Sequence, residues 1–84
     1  MKNITIYTGP LCNYCEAAKR LLKRNNAKFK EINVASVEGA MDEMIKKANG
    51  KRTIPQIFFD DQHIGGYDEV RALEKENKLQ DLLK

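Results

Sequence analysis

A chain of 84 residues, 42% hydrophobic and 32% charged, has the makings of one small globular domain, 1–84, and no room for a second core. Its 15 lysines and arginines are dispersed among 12 acids for a net charge of +3, which excludes the concentrated basic face that nucleic acid requires. No apolar run approaches the length of a membrane span, and the opening MKNITIYTG lacks the features of a secretory signal, so a cytoplasmic protein is expected.

Ile4 to Thr8 alternates apolar and polar residues, the period of a strand. The period then changes. From Asn13 to Arg24, Ala17, Ala18, Leu21 and Leu22 fall on one helical face, and Asn25-Asn26 stops the helix. Lys28 to Val34, carrying Phe29, Ile32 and Val34, reads as a second strand. Ser36 is placed to cap a helix from Val37 to Asn49, because Val37, Met41, Met44, Ile45 and Ala48 recur at helical spacing; Asn49-Gly50 ends it. Ile54 to Phe59 is predicted as a third strand, Asp60-Asp61-Gln62 as a hairpin turn and His63-Ile64 as the return strand, broken by Gly65-Gly66. Asp68 is placed to cap a last helix with Val70 and Leu73, and a break near Asn77-Lys78 precedes Leu79, Leu82 and Leu83. The order βαβαββα begins with a right-handed parallel unit and ends with an antiparallel pair. The simplest α/β solution is a mixed four-stranded sheet flanked by helices.

Cys12-Asn13-Tyr14-Cys15 holds the only two cysteines, where the first strand gives way to a helix. Three chemistries compete for such a pair. A zinc clip needs four ligands, and the chain adds only one histidine, His63, in a distant hairpin. Small apolar fillers at a helix start are the second possibility. The third, redox chemistry, suits the βαβ context best. A thiolate beside the free N–H groups of a helix start is stabilised by the helix dipole, and Cys-X-X-Cys thiols fall from about 8.5 into the range ~3.5–7.5. Cys12, the outer sulfur, is then the exposed attacker; Cys15, one turn deeper, keeps its proton and resolves. Glu16 opposes a second negative charge there.

Thr53-Ile54-Pro55 places a proline at the start of an apolar strand, where it cannot donate to a ladder. A trans proline on a sheet edge is one resolution. A cis Ile54-Pro55 bond is the other, and it turns the Ile54 backbone N–H and C=O toward a ligand.

Cys12-x-Tyr14-Cys15 after a strand, Thr53-Ile54-Pro55 before another and Gly65-Gly66-Tyr67-Asp68 ahead of the last helix together resemble the glutaredoxins, specifically the short bacterial dithiol kind, from Ile4 to Leu83. The resemblance implies a thioredoxin-like fold with Pro55 cis and packed near Cys12. It implies a glutathione-dependent thiol-disulfide oxidoreductase acting on disulfide-containing or glutathionylated proteins, with Cys12 as nucleophile and Cys15 as resolving thiol. It further implies that Thr53 and Ile54 pair with the glutathione backbone beside Pro55. Gly66, Tyr67 and Asp68 would hold the γ-glutamyl end, and Tyr14 would flank the sulfur. A monomer without a metal is expected.

Two residues depart from the family pattern. Asn13 stands where proline is usual, which restores an N–H near the sulfurs and keeps open a carrier role in which two copies bridge a [2Fe–2S] cluster through Cys12 and two glutathiones. Gly9 stands where a lysine usually precedes the first cysteine, so Arg52, or failing it Lys51, is the candidate cation for the glutathione carboxylate. A thioredoxin-like reductase fed by a flavoenzyme is the remaining alternative, and the Gly65-Gly66-Tyr67-Asp68 turn argues against it.

Overall fold

The computed structural model describes residues 2–84. Strands β1 (Ile4–Thr8), β2 (Phe29–Asn33), β3 (Gln56–Phe59) and β4 (Gln62–Gly65) form one sheet in the order β2-β1-β3-β4. β1 pairs in parallel with β2 and antiparallel with β3, and β3 pairs antiparallel with β4. This is the mixed sheet that the element order implies, and the fold is thioredoxin-like.

Alternation along β1 sorts its side chains onto two faces. Ile4 and Ile6 pack with Ala18, Leu21 and Leu22 of α1 (Asn13–Arg24), Val70 of α3 (Tyr67–Lys75), and Leu79 and Leu83 of α4 (Leu79–Leu83). Tyr7 points the other way and joins Phe58 with Met44 and Ala48, at the end of α2 (Ala40–Lys47). Each fully buried leucine or isoleucine is worth about 1.5–3 kcal/mol, so the first face carries most of the hydrophobic stabilisation. On the second face the Tyr7 hydroxyl donates to Glu43 Oε1 at 2.6 Å and ties α2 to the sheet. Burial, reinforced by the Glu43 carboxylate, pushes that phenol up to about 12. α1 and α3 are clamped at their far ends, where Arg24 Nη2 and Nε donate to the two Glu74 carboxylate oxygens at 2.6 and 3.0 Å. Asn25, which ends α1, also donates to Glu74, at 2.7 Å.

Four local expectations need correction. The second helix starts at Ala40, not Val37, and its N-cap is Gly39 at φ +78 rather than Ser36. Asn33 is the cause: its side chain accepts the Ala35 N–H at 2.9 Å and its carbonyl the Val37 N–H at 3.0 Å, so a turn takes the residues that periodicity assigned to the helix. Val37 and Met41 are therefore exposed while Met44 and Ala48 are buried. Asp68 does not cap α3. Gly66 is the cap residue, and its N–H donates to Glu69 Oε1 at 2.6 Å, the back-reaching half of a capping box. β3 begins at Gln56 because the cis Ile54-Pro55 bond holds the preceding residues off the ladder. β4 runs from Gln62 to Gly65, longer by one residue at each end. The last helix is two helices, parted at Asn77, whose φ is +59, as the Asn77-Lys78 break suggests.

Candidate functional site

β1 is an interior strand, and the chain leaves its carboxyl end through Gly9, Pro10 and Leu11 into the start of α1. Cys12 is the N-cap of that helix. It has extended backbone angles, and its Sγ accepts the Cys15 N–H at 3.1 Å. Cys15 is buried and Cys12 half-buried, so Cys12 is the outer sulfur as expected but is less exposed than the sequence suggests. The two are joined as a disulfide across a Cα–Cα distance of 5.2 Å. Once that bond is reduced, the N–H already aimed at Cys12 and the dipole of α1 favour a thiolate there.

Glu16 faces water and is paired with Lys19 at 2.8 Å, so its repulsion of a thiolate is offset. Lys19 also donates to Glu31 at 3.1 Å, and the Thr8 hydroxyl donates to the same carboxylate at 2.8 Å. The Thr8 hydroxyl first, then Lys19, holds the Glu31 carboxyl below the ordinary carboxylate value. Hydrogen bonding to Glu16 raises Lys19 correspondingly. Through Glu31 of β2 this cluster links Thr8, at the end of β1, to Lys19 of α1.

The antiparallel register of β1 and β3, with Tyr7 opposite Gln56, brings Ile54 and Pro55 alongside the cysteine loop. Ile54-Pro55 is cis, and the Ile54 carbonyl oxygen lies 3.9 Å from Cys12 Sγ. A Cβ at Gly9 would stand 2.6 Å from Ile54 Cδ1, the end of a flexible side chain, which would have to shift to admit a longer residue.

An open groove of about 220 Å³ runs past this point. Thr53, Ile54 and Pro55 line it, together with Gly66, Tyr67, Asp68 and Glu69 from the start of α3, and with Tyr14. The rings of Tyr14 and Tyr67 meet at 5.9 Å. Seven of the eight residues assigned to a ligand from the sequence thus share one groove. Arg52 is not among its lining residues; it and Lys51 are exposed just before Thr53. Among the described residues no three of His, Cys, Asp or Glu gather where they could hold a metal ion, and His63 lies on β4 stacked against Phe58 at 5.0 Å.

A family model described as Glutaredoxin matches residues 4–64. The chain belongs to the glutaredoxin family. It is 48% identical over 80 residues to a probable glutaredoxin, ssr2061, of Synechocystis, covering 95% of this chain and 91% of that one. A solution structure of glutaredoxin from Brucella melitensis superposes with a TM-score of 0.86 at 45% identity, covering 100% of this chain and 90% of that one. A buckwheat glutaredoxin-glutathione complex superposes with a TM-score of 0.86 at 26% identity, covering 98% and 76%. Family membership and the disulfide-forming Cys12-Cys15 pair make this glutaredoxin a thiol-disulfide oxidoreductase.

Two residues of the site are absent from the sequence-based set. Gln56 is 2% exposed, and its Nε2 donates to the Thr53 carbonyl at 3.0 Å and to the Thr53 hydroxyl at 3.1 Å. The signal was a lone polar residue heading the apolar run Gln56-Ile57-Phe58-Phe59, since a polar group in such a run is buried only with partners. Glu69 is the other. Its spacing of three from Gly66 is the sequence signature of a capping acid, and it lines the groove while holding the Gly66 N–H.

Proposed function

We propose that this glutaredoxin reduces protein disulfides and glutathione mixed disulfides with glutathione as electron donor, Cys12 being the nucleophile and Cys15 the resolving thiol. The observation that carries this reading is the groove, which passes along the cis Ile54-Pro55 bond to within reach of Cys12 and has a helix start at its other side. Glutathione is an extended anionic tripeptide with a central thiol. Its backbone suits Thr53 and Ile54, which are free of the ladder, and its γ-glutamyl end suits Gly66, Tyr67 and Asp68 at the start of α3. Pro55 and Tyr14 flank the sulfur. Arg52 supplies the cation that Gly9 cannot. The buckwheat relative that superposes on this fold is a glutathione complex.

On a glutathionylated protein, the Cys12 thiolate attacks the glutathione sulfur, Cys12–S–S–glutathione forms, and the protein cysteine leaves as a thiolate. A second glutathione thiolate attacks the adduct, which releases oxidised glutathione and returns Cys12 to the thiolate. On a protein disulfide, Cys12 forms a mixed disulfide with the client and expels one thiolate. Cys15, deprotonated as it attacks, then bonds to Cys12 Sγ and expels the second. The product is the Cys12-Cys15 disulfide, which two glutathiones reduce. Each step exchanges one S–S bond for another. The protein acts in this scheme as a monomer.

The test is turnover of a glutathionylated small disulfide with glutathione and glutathione reductase, beside an assay driven by a thioredoxin reductase. Activity in the first and silence in the second is expected; the converse overturns the glutathione assignment. A brown visible spectrum after anaerobic purification would replace it with the cluster-carrier role.

A further inference from the structure

Four large apolar side chains are exposed among the described residues: Leu11, Tyr14, Val37 and Met41. All four follow the carboxyl ends of the two parallel strands, Leu11 and Tyr14 after β1, Val37 and Met41 after β2. The two exits touch. The Val34 N–H donates to the Thr8 carbonyl at 2.9 Å, and Val34 Cγ2 lies 3.9 Å from where a Cβ on Gly9 would stand. The amino ends of the same strands border a different groove, where Lys2, Lys28 and Lys30 stand beside Ile4 and Phe29. The large apolar side chains that stand exposed are therefore on the edge of the sheet that carries Cys12.

Leu11 stands out within that set. It is the most exposed of the four, and its φ of +52 lies in the left-handed region, where glycine or asparagine sits with less strain than a leucine. Neither burial nor backbone geometry calls for leucine there. Its position does, because it immediately precedes the sulfur that reacts.

We propose that Leu11, with Tyr14 and with Val37 from the neighbouring turn, forms an apolar rim that docks polypeptide substrates whose reactive cysteine is flanked by apolar side chains. This rests on Cys12 being the attacking sulfur. The reaction itself selects the occupant. Exchange requires the substrate disulfide to align with Cys12 Sγ, so the chain that bears it must cross the residues on either side of Cys12. The glutathione half of a mixed disulfide is accommodated between Thr53 and Asp68, and Leu11 is not among the residues lining that groove. Leu11 is thus left for the client's half, the half that departs as a cysteine thiolate when Cys12 takes the glutathione sulfur. Small disulfides lack side chains that reach the rim, so it discriminates one polypeptide from another.

The experiment compares kcat/KM for two glutathionylated heptapeptides, one with leucine and valine beside the cysteine and one with serine and asparagine. The proteins compared are the parent, Leu11→Asn, which suits a positive φ but removes the apolar surface, and Leu11→Met, which keeps that surface. The parent is expected to favour the apolar peptide about tenfold, the effect of partly burying one leucine, with the preference falling to about twofold in Leu11→Asn and surviving in Leu11→Met. Absence of a preference in the parent, or the same preference in Leu11→Asn, overturns the rim. So does sedimentation showing a dimer of the parent that Leu11→Asn abolishes, since a second copy would then be the occupant. Turnover of a glutathionylated small disulfide by the parent separates the two levels. Silence there removes the Cys12 reading, whereas activity there without peptide discrimination removes the rim alone.

Discussion

His63 Nε2 donates to Gln56 Oε1 at 2.7 Å, and that bond sets which way the Gln56 amide faces. With its oxygen engaged, Gln56 has only its NH₂ to offer Thr53, whose carbonyl and hydroxyl both receive it. A histidine on β4 thereby braces the wall of the groove through a buried amide, and the first residue of the Thr53-Ile54-Pro55 segment is held from behind.

Replacing Gln56 by leucine keeps the volume and removes all three bonds. The half-buried His63 N–H is left without its partner, at a cost of about 1 kcal/mol, while Thr53 is exposed and its oxygens turn to water. The urea midpoint is expected to fall, and KM for glutathione to rise more than kcat falls. Equal loss of both kinetic constants would mean that Gln56 supports the fold and not the groove.

The same relay makes stability depend on pH. Burial, assisted by the Lys51 cation and opposed by Glu69, holds the His63 imidazole below its ordinary value of 6.5. A base with a lowered folded-state value binds its proton less readily in the native chain than in the unfolded one. The stabilisation is therefore complete above about pH 6.5 and is lost as pH falls from there through the folded-state value. An imidazole titration by NMR with its midpoint below 6.5, and a urea midpoint at pH 7.5 above that at pH 5.5 by a margin that His63→Gln reduces, would bear this out.

Cys12→Ser is expected to abolish activity on every disulfide. Cys15→Ser is expected to keep turnover of glutathione mixed disulfides while losing reduction of protein disulfides, because only the second route needs an internal resolving thiol. Parallel kinetics on the two variants check the division of labour; residual turnover in Cys12→Ser would reassign the nucleophile.

Gly9 and Ile54 are expected to trade space. Gly9→Lys alone turns Ile54 Cδ1, the end of a flexible side chain, aside at small cost to stability. Ile54→Val removes that methyl at a cost of about 0.5–1.5 kcal/mol. Gly9→Lys in the Ile54→Val background brings a cation beside the groove, and a charge-assisted bond of about 1.5–3 kcal/mol to the glutathione carboxylate predicts a KM lowered by about tenfold or more. Glutathione titration of the single and double variants tests this, and an unchanged KM in the double variant rejects it.

Most of the framework was legible in residue types. Ile4 and Ile6 declare their face by alternation, and Cys12, Pro55 and Gly66 mark the site because each breaks a local rule that structure elsewhere obeys. What periodicity missed was settled by side chains acting on nearby backbone. Asn33 captures three N–H groups and delays α2 past Val37, and Gly66, its N–H held by Glu69, takes the cap that Asp68 was expected to provide. Such bonds compete with the helix over a few residues, a contest that an apolar pattern does not record. Gln56 was hidden for a different reason: its partners, Thr53 and His63, come together only when β3 and β4 pair.

The cap of α1 is also the atom that exchanges bonds. Cys12 Sγ receives the Cys15 N–H, so the electrical character of the first turn changes whenever the sulfur gains or loses electrons. Oxidation state and helix integrity are then linked quantities, and linkage runs both ways. A substitution anywhere along α1 that favours the turn built around a thiolate must make the protein a stronger oxidant by the same free energy, even if it lies three turns away at the Arg24-Glu74 clamp.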